Sequence, residues 1–221
     1  LSSSPVLCAS IHRRIGTIYK NLVQRIVRNV NKDDEKLYQN ELLQIKENYT
    51  AAISAFTHAR SKLGNSINAE TLSLMSEMTE AAIIVIPFLP EQRFFAEVYL
   101  SEEEKMLSYI PIPERQVLFM RNRARLLELN GNYESALNTL TEAKTYLEGE
   151  PKSFRMFEVY YQICRTVMRH WDEMPEDLHI VGCQALTNAF TFDLGNLGDK
   201  NEYYEALLEA KKLFESKQNL S

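Results

Sequence analysis

Three short segments of this 221-residue chain repeat one pattern: Asn48-Tyr49-Thr50-Ala51-Ala52-Ile53, Asn132-Tyr133-Glu134-Ser135-Ala136-Leu137 and Glu202-Tyr203-Tyr204-Glu205-Ala206-Leu207. In each, a tyrosine precedes an alanine by three residues and an aliphatic residue follows. That spacing sets all three on one helical stripe, with the alanine at the point of closest approach. Such a stripe suits a helix packed tightly against a partner, and each segment is expected to open a helix. Glycine and proline number only seven each, and no run alternates apolar with polar residues, which argues against an all-β fold. The expected class is all-α.

Periodicity places the elements. Val6, Ile11, Ile15, Ile18, Leu22, Ile26 and Val30 recur every three to five residues and describe one long amphipathic helix from Pro5 to about Val30. A second runs from about Asp33 to Leu63 and is stopped by Gly64. A third begins after Ser66 or Asn68 and is stopped by Pro87. Two short helices are expected next, 91–99 and one opened by a capping box of Ser101 and Glu104. A hairpin follows: Pro113 to Leu129, a turn at Asn130-Gly131, and Asn132 to Leu147. Pro151 and Pro175 open two further helices. The last, Asn201 to about Lys217, ends in a polar tail expected to be disordered.

Charge is uneven. Residues 1–32 hold Arg13, Arg14, Lys20, Arg25, Arg28 and Lys32 and no acid, although the whole chain has a net charge of −5. Such a helix attracts acidic peptides, nucleic acid or an anionic membrane, or it faces an acidic neighbouring helix or solvent. Nucleic acid is the least expected of these, given the acidic remainder and the lack of aromatic residues among the arginines. The longest apolar run, Ala81 to Leu89, is interrupted by Pro87 and is too short to cross a bilayer, so no membrane span is expected.

Cys8, Cys164 and Cys183 are expected to be buried thiols in a reducing compartment, which points to the cytoplasm. The start at Leu1, without methionine or leader, is expected of a fragment or a processed form and keeps an exported form open. No cofactor is expected. His12, His58, His170 and His179 lack metal-ligand spacing, and the stretch around Trp171 reads as a solvated turn. Gly195-Asn196-Leu197-Gly198 lacks the lysine of a phosphate loop, and no serine stands in a nucleophile arrangement. These absences point away from an enzyme.

The segment from Met120 to Ala143 resembles a tetratricopeptide repeat, a family of antiparallel helix pairs stacked into a right-handed α-solenoid. Ala124 matches the small residue of the first helix, Leu127 the large residue that follows, Gly131-Asn132-Tyr133 the turn, and Ala136, Leu140 and Ala143 the second helix. Arg123 departs from the family's leucine. Ile15-Gly16-Thr17-Ile18-Tyr19 resembles the first-helix signature, where glycine admits the partner helix; that partner would be the stripe of Tyr49, Ala52, Phe56 and Ala59, in a hairpin with elongated helices. Tyr203 to Leu213 is a third match. The resemblance implies an N-terminal helical region, 1–110, with one long hairpin, and C-terminal repeats, 111–221, or one continuous solenoid. An irregular helical bundle is the alternative, since alanine at a helix crossing suits any helical core.

In that family the first helices line a concave face. Carried over, this implies an exposed basic groove of Arg13, Thr17, Lys20, Arg121, Asn122 and Arg125, binding a protein or peptide segment, preferably acidic, through charge-assisted hydrogen bonds. The alternative is a sensor or regulatory domain that couples ligand binding to an output domain. A homo-oligomer through the apolar side of Asn201–Lys217 stays open.

Overall fold

Local capping chemistry sets several of the helix boundaries. The computed structural model describes residues 4–147, 149, 153–192 and 201–218, without the side chains of 201, 202, 204 and 218. Among the described residues there are nine α-helices and no strand: α1 Pro5–Asn29, α2 Glu35–Leu63, α3 Ala69–Val85, α4 Gln92–Tyr109, α5 Pro113–Leu129, α6 Tyr133–Thr145, α7 Phe154–Arg169, α8 Glu176–Ala189 and α9 Asn201–Gln218. Proline, with no N–H to lose, opens α1 and α5. Asp34 accepts the Leu37 N–H ahead of α2, Ser153 accepts that of Met156 ahead of α7, and Asn68 forms a capping box with Thr71 ahead of α3. Gly64 and Gly131 take the left-handed turns, at φ 68° and 76°, that end α2 and α5.

The chain divides into two compact units, Leu1–Arg115 and Gln116–Ser221. In the first, α1 packs on α2 and α3, and α3 packs on α2 and α4. The α1–α2 pair is antiparallel: Gly16 faces Phe56, and the His12 ring stacks on His58 at 5.4 Å. A Cβ at Gly16 would lie 2.5 Å from the Phe56 ring, so the missing side chain is what lets these helices approach. By contrast α1 and α3 run parallel, Arg13 meeting Ser73 and Lys20 meeting Glu80, both across 60 residues. Nearly every residue of α3 from Thr71 to Val85 is buried.

In the second unit α7 packs on α6, α8 and α9. The α7–α8 pair is antiparallel and repeats the glycine device, a Cβ at Gly182 falling 2.7 Å from Val167. Parallel packing recurs between α5 and α7, where Arg121 meets Gln162 across 41 residues and Glu128 meets Thr166 across 38. The Tyr203 ring of α9 closes on Phe154, Phe157 and Tyr161 of α7 at 6.1, 5.7 and 4.9 Å.

Several expectations are corrected. Tyr49 lies in the middle of α2 rather than at a helix start, because no breaker separates Glu35 from Leu63. Ser101 lies inside α4, which is continuous: with no proline or glycine between 92 and 109, one helix propagates through. Ala52, Ala124, Ala136 and Ala143 are buried at helix contacts, whereas Ala206 is only half-buried; α9 buries Leu207, Ala210 and Phe214 instead. Cys8 and Cys183 are half-buried and only Cys164 is buried; none of the three is in a disulfide. In α1 the buried residues are Ala9, Gly16, Lys20 and Val23, so its large aliphatic stripe faces the other way. Pro151, the Gly195–Gly198 stretch and the tail at 219–221 lie outside the described residues.

Candidate functional site

The basic residues expected to line an open groove are instead held by acidic neighbours. Arg13 donates from Nε and Nη2 to Glu77 Oε1 at 2.9 and 2.7 Å, and Nη2 also donates to Ser73. Thr17 donates its hydroxyl to the other Glu77 oxygen. Lys20 Nζ reaches Glu80 Oε2 at 2.5 Å and Glu77 Oε2 at 4.0 Å, and its side chain is nearly covered. These three residues therefore close the α1–α3 contact. The physical reason is spacing: 13, 17 and 20 on α1 share one helical face, as do 73, 77 and 80 on α3, and parallel packing brings the two sets into register.

In the second trio Arg121 is held in the same way. Arg121 Nη1 pairs with Glu158 Oε2 at 3.0 Å, which also holds Arg155 at 2.7 Å. Gln162 donates back to the Arg121 carbonyl at 3.1 Å. Asn122 is buried and Arg125 half-buried and engaged. One turn on, Glu128 accepts from Thr166 at 3.1 Å and stands within 3.8 Å of both Arg165 and Arg169 and 3.5 Å of His170. His170 stacks on Tyr133 at 4.0 Å, and Tyr133 donates to Glu173 at 2.8 Å. The stretch around Trp171 is solvated at Asp172 and Glu173, 83 and 59% exposed, while the indole packs inward, stacking on His179 at 3.8 Å and meeting Phe214 edge-on. The acids Glu77, Glu80, Glu128 and Glu158 escaped the sequence reading, although their placement three or four residues from other polar positions on α3, α5 and α7 is a readable signal.

What remains open to a partner is apolar. On α1, Leu7, Ile11, Ile15, Ile18 and Leu22 are 56, 49, 38, 60 and 40% exposed. Their three- and four-residue steps make one stripe opposite the buried face, the seam geometry of a helix awaiting another helix. Exposed Arg14 and Arg25 border it, and α1 carries no acid. A smaller apolar patch lies at the start of α4, where Phe94, Phe95 and Val98 are exposed; polar Ser101, Glu102 and Lys105 separate it from Tyr109 at the helix end. Exposed Glu97 and Glu102 flank it.

Two interior features carry unusual chemistry. Glu103 is buried between α3 and α4, its carboxyl pushed up to about 7 by burial; hydrogen bonds from Ser76 and Thr79 and the charge of Arg115 pull the other way. Its Oε1 has no hydrogen-bond partner. The buried Cys164 thiol is pushed up to about 12 by burial and by Cys183, which keeps it protonated and a poor nucleophile. An open cleft of about 700 Å³ lies along α8, lined by Trp171, His179, Cys183 and Lys217 among others. Among the described residues no three His, Cys, Asp or Glu side chains gather as metal ligands, and no helix is long and apolar enough to cross a membrane. No family model matches the chain, nor does any curated protein or solved structure.

Proposed function

We propose that the chain is a non-catalytic protein–protein interaction module, its units stacking helix pairs in the right-handed tetratricopeptide manner, and that its binding surface is the outer face of α1 rather than a basic groove. The stacking reading is supported by antiparallel α1–α2 and α7–α8 pairs and by parallel α1–α3 and α5–α7 contacts. The 38- to 41-residue offsets in the second unit are near the roughly 34-residue period of that family. The binding reading rests on one observation: a stripe of five large aliphatic side chains on α1 stays at the surface although the same helix offers a buried face. Its occupant is an amphipathic helix of a partner protein with acidic residues along its apolar edge. Arg14 and Arg25 would meet those acids, whereas a basic helix would be repelled.

The test is titration with two synthetic helical peptides sharing a leucine seam at three- and four-residue spacing, one edged with glutamate and one with lysine. Fluorescence anisotropy should show saturable, salt-weakened binding of the first alone, reduced at least about tenfold by Ile11→Glu with Ile18→Glu. These side chains are exposed, so circular dichroism of the variant should be unchanged. Equal binding of both peptides, indifference to the double substitution, or capture by anionic vesicles in place of the peptide would overturn the reading.

A further inference from the structure

Apart from the α1 surface, we infer that α4 is a releasable helix, held on α3 by the neutral form of Glu103 and loosened when that carboxyl ionises. The attachment of α4 is slight. Of its 18 residues only Ala96, Glu103, Met106 and Leu107 are buried, so one of the four anchors is an acid. Among the described residues α4 packs chiefly on α3, and a hydrogen bond from the Tyr49 hydroxyl to Gln92 Oε1, at 2.8 Å, ties its first turn to α2. Turns carrying Pro90 and Pro111 separate it from α3 and α5. A helix with so few buried apolar contacts, bounded by such turns, opens at lower cost than the whole unit.

The geometry around Glu103 supplies too few donors for a charge. An ionised carboxylate accepts through both oxygens, and Oε1 has no partner. Oε2 lies 3.4 Å from the Thr79 hydroxyl, whose hydrogen is engaged with the Met75 carbonyl at 2.9 Å. That leaves the Ser76 hydroxyl as the remaining donor to the carboxyl. Protonated, the carboxyl carries its own donor, and the Thr79 oxygen is placed to accept it. Few charges intervene. On α3, Glu77 and Glu80 turn to Arg13 and Lys20 of α1, and α5 contributes Arg115, the weakest influence favouring the charge. Glu102, Glu104 and Lys105 beside Glu103 are exposed, and burial raises the phenols of Tyr49 and Tyr99, so neither phenol changes charge near neutral pH. Release gives Glu103 water around both oxygens and uncovers part of α3, nearly all of which is otherwise buried.

Amide hydrogen exchange followed by NMR reads α4 apart from the rest. Closed, the carboxyl holds its proton to about 7; open, it reverts to the ordinary 4.5. Protection of the α4 amides, corrected for intrinsic rates, should therefore fall by roughly 50- to 100-fold between pH 5 and pH 8, most of it below pH 7. At each pH these amides should be less protected than those of the α1–α2 pair and less sensitive to dilute urea, the marks of local opening. In Glu103→Gln, which cannot ionise, α4 protection should stay level with pH, and the wild-type profile decides the matter alone if that variant does not fold. Equal protection in α4 and the α1–α2 pair would mean that α4 leaves only with the whole unit. Protection of α4 that is level with pH in the wild type, or that falls equally in Glu103→Gln, would detach release from Glu103. Any of these results would overturn the inference.

Discussion

Glu103 in the first unit and Glu128 in the second are both buried, and their surroundings are opposite. Around Glu128 stand Arg165, Arg169, His170 and the Thr166 hydroxyl. Around Glu103 stand chiefly the hydroxyls of Ser76 and Thr79, with Arg115 the weakest of the influences that favour its charge, and one oxygen is left without a partner. Burial alone therefore does not say what a carboxylate does for a fold. A buried anion ringed by cations holds helices in register, whereas one facing hydroxyls is favoured in its protonated form.

Neutralising the two should separate them in sign. Glu128→Gln leaves the half-buried Arg165, whose Nε already lacks a hydrogen-bond partner, without its nearest carboxylate. The expected loss is about 3 kcal/mol, read from urea unfolding. Glu103→Gln should instead stabilise the protein in alkaline buffer. The folded carboxyl sits at about 7 against an ordinary 4.5, so the folded state binds the proton more tightly. Stability is then greatest below about pH 4.5, falls as pH rises toward 7 and levels above it, by about 3 kcal/mol in all. Measured at pH 5 and pH 8, the wild type should lose stability across that interval through this group and Glu103→Gln should not. An identical pH dependence in the two proteins would remove Glu103 as its source.

The same contrast bears on how much could be read from the sequence. Helices were legible because their signals are local: Pro5 and Pro113 at first turns, Asn68 as a cap, Gly64 and Gly131 at positive φ. Faces were legible in part: Gly16 read as the point where the Phe56 stripe of α2 approaches, and it is. In α1 two apolar stripes coexist, a small one of Ala9, Gly16 and Val23 and a large one from Leu7 to Leu22, and a 3.6-residue period weights the larger side chains. The small stripe is the buried one because close helix approach needs small residues, and the outward turn of the large stripe was not legible. An acidic neighbouring helix was among the readings of basic α1, and Arg13 meets one, but which carboxylates hold Arg13 and Arg121 was not legible, since they lie 64 and 37 residues away on parallel helices. Substituting Arg121 and Arg125 by glutamate would set acid against Glu158 and damage the α5–α7 contact rather than probe a surface groove.

The gentlest break in the comparison between units concerns Gly16 and Gly182, which do the same work on different neighbours. An alanine methyl at Gly16 would meet the fully buried Phe56 ring at 2.5 Å, and one at Gly182 would meet Val167 at 2.7 and 2.8 Å and Phe214 at 3.1 Å. Either helix pair must then move apart or a packed side chain must leave its rotamer, at about 1–3 kcal/mol. Helix propensity works in the opposite direction, since alanine in a helix interior is favoured over glycine by about 1 kcal/mol. A net loss in melting temperature for both substitutions would mean that overpacking outweighs propensity. The two sites should differ in rescue. Val167→Ala removes the nearer of the two atoms that a methyl at 182 strikes, Cγ1, while leaving Cβ at 2.8 Å, and should recover part of the loss. Phe56→Leu removes the ring edge at 16 but opens space around the rest of the α1–α2 contact, so its recovery should be smaller. Gly16→Ala or Gly182→Ala proving more stable than the wild type would show that the corresponding helix pair has slack, and that glycine there is not what sets the interhelical distance.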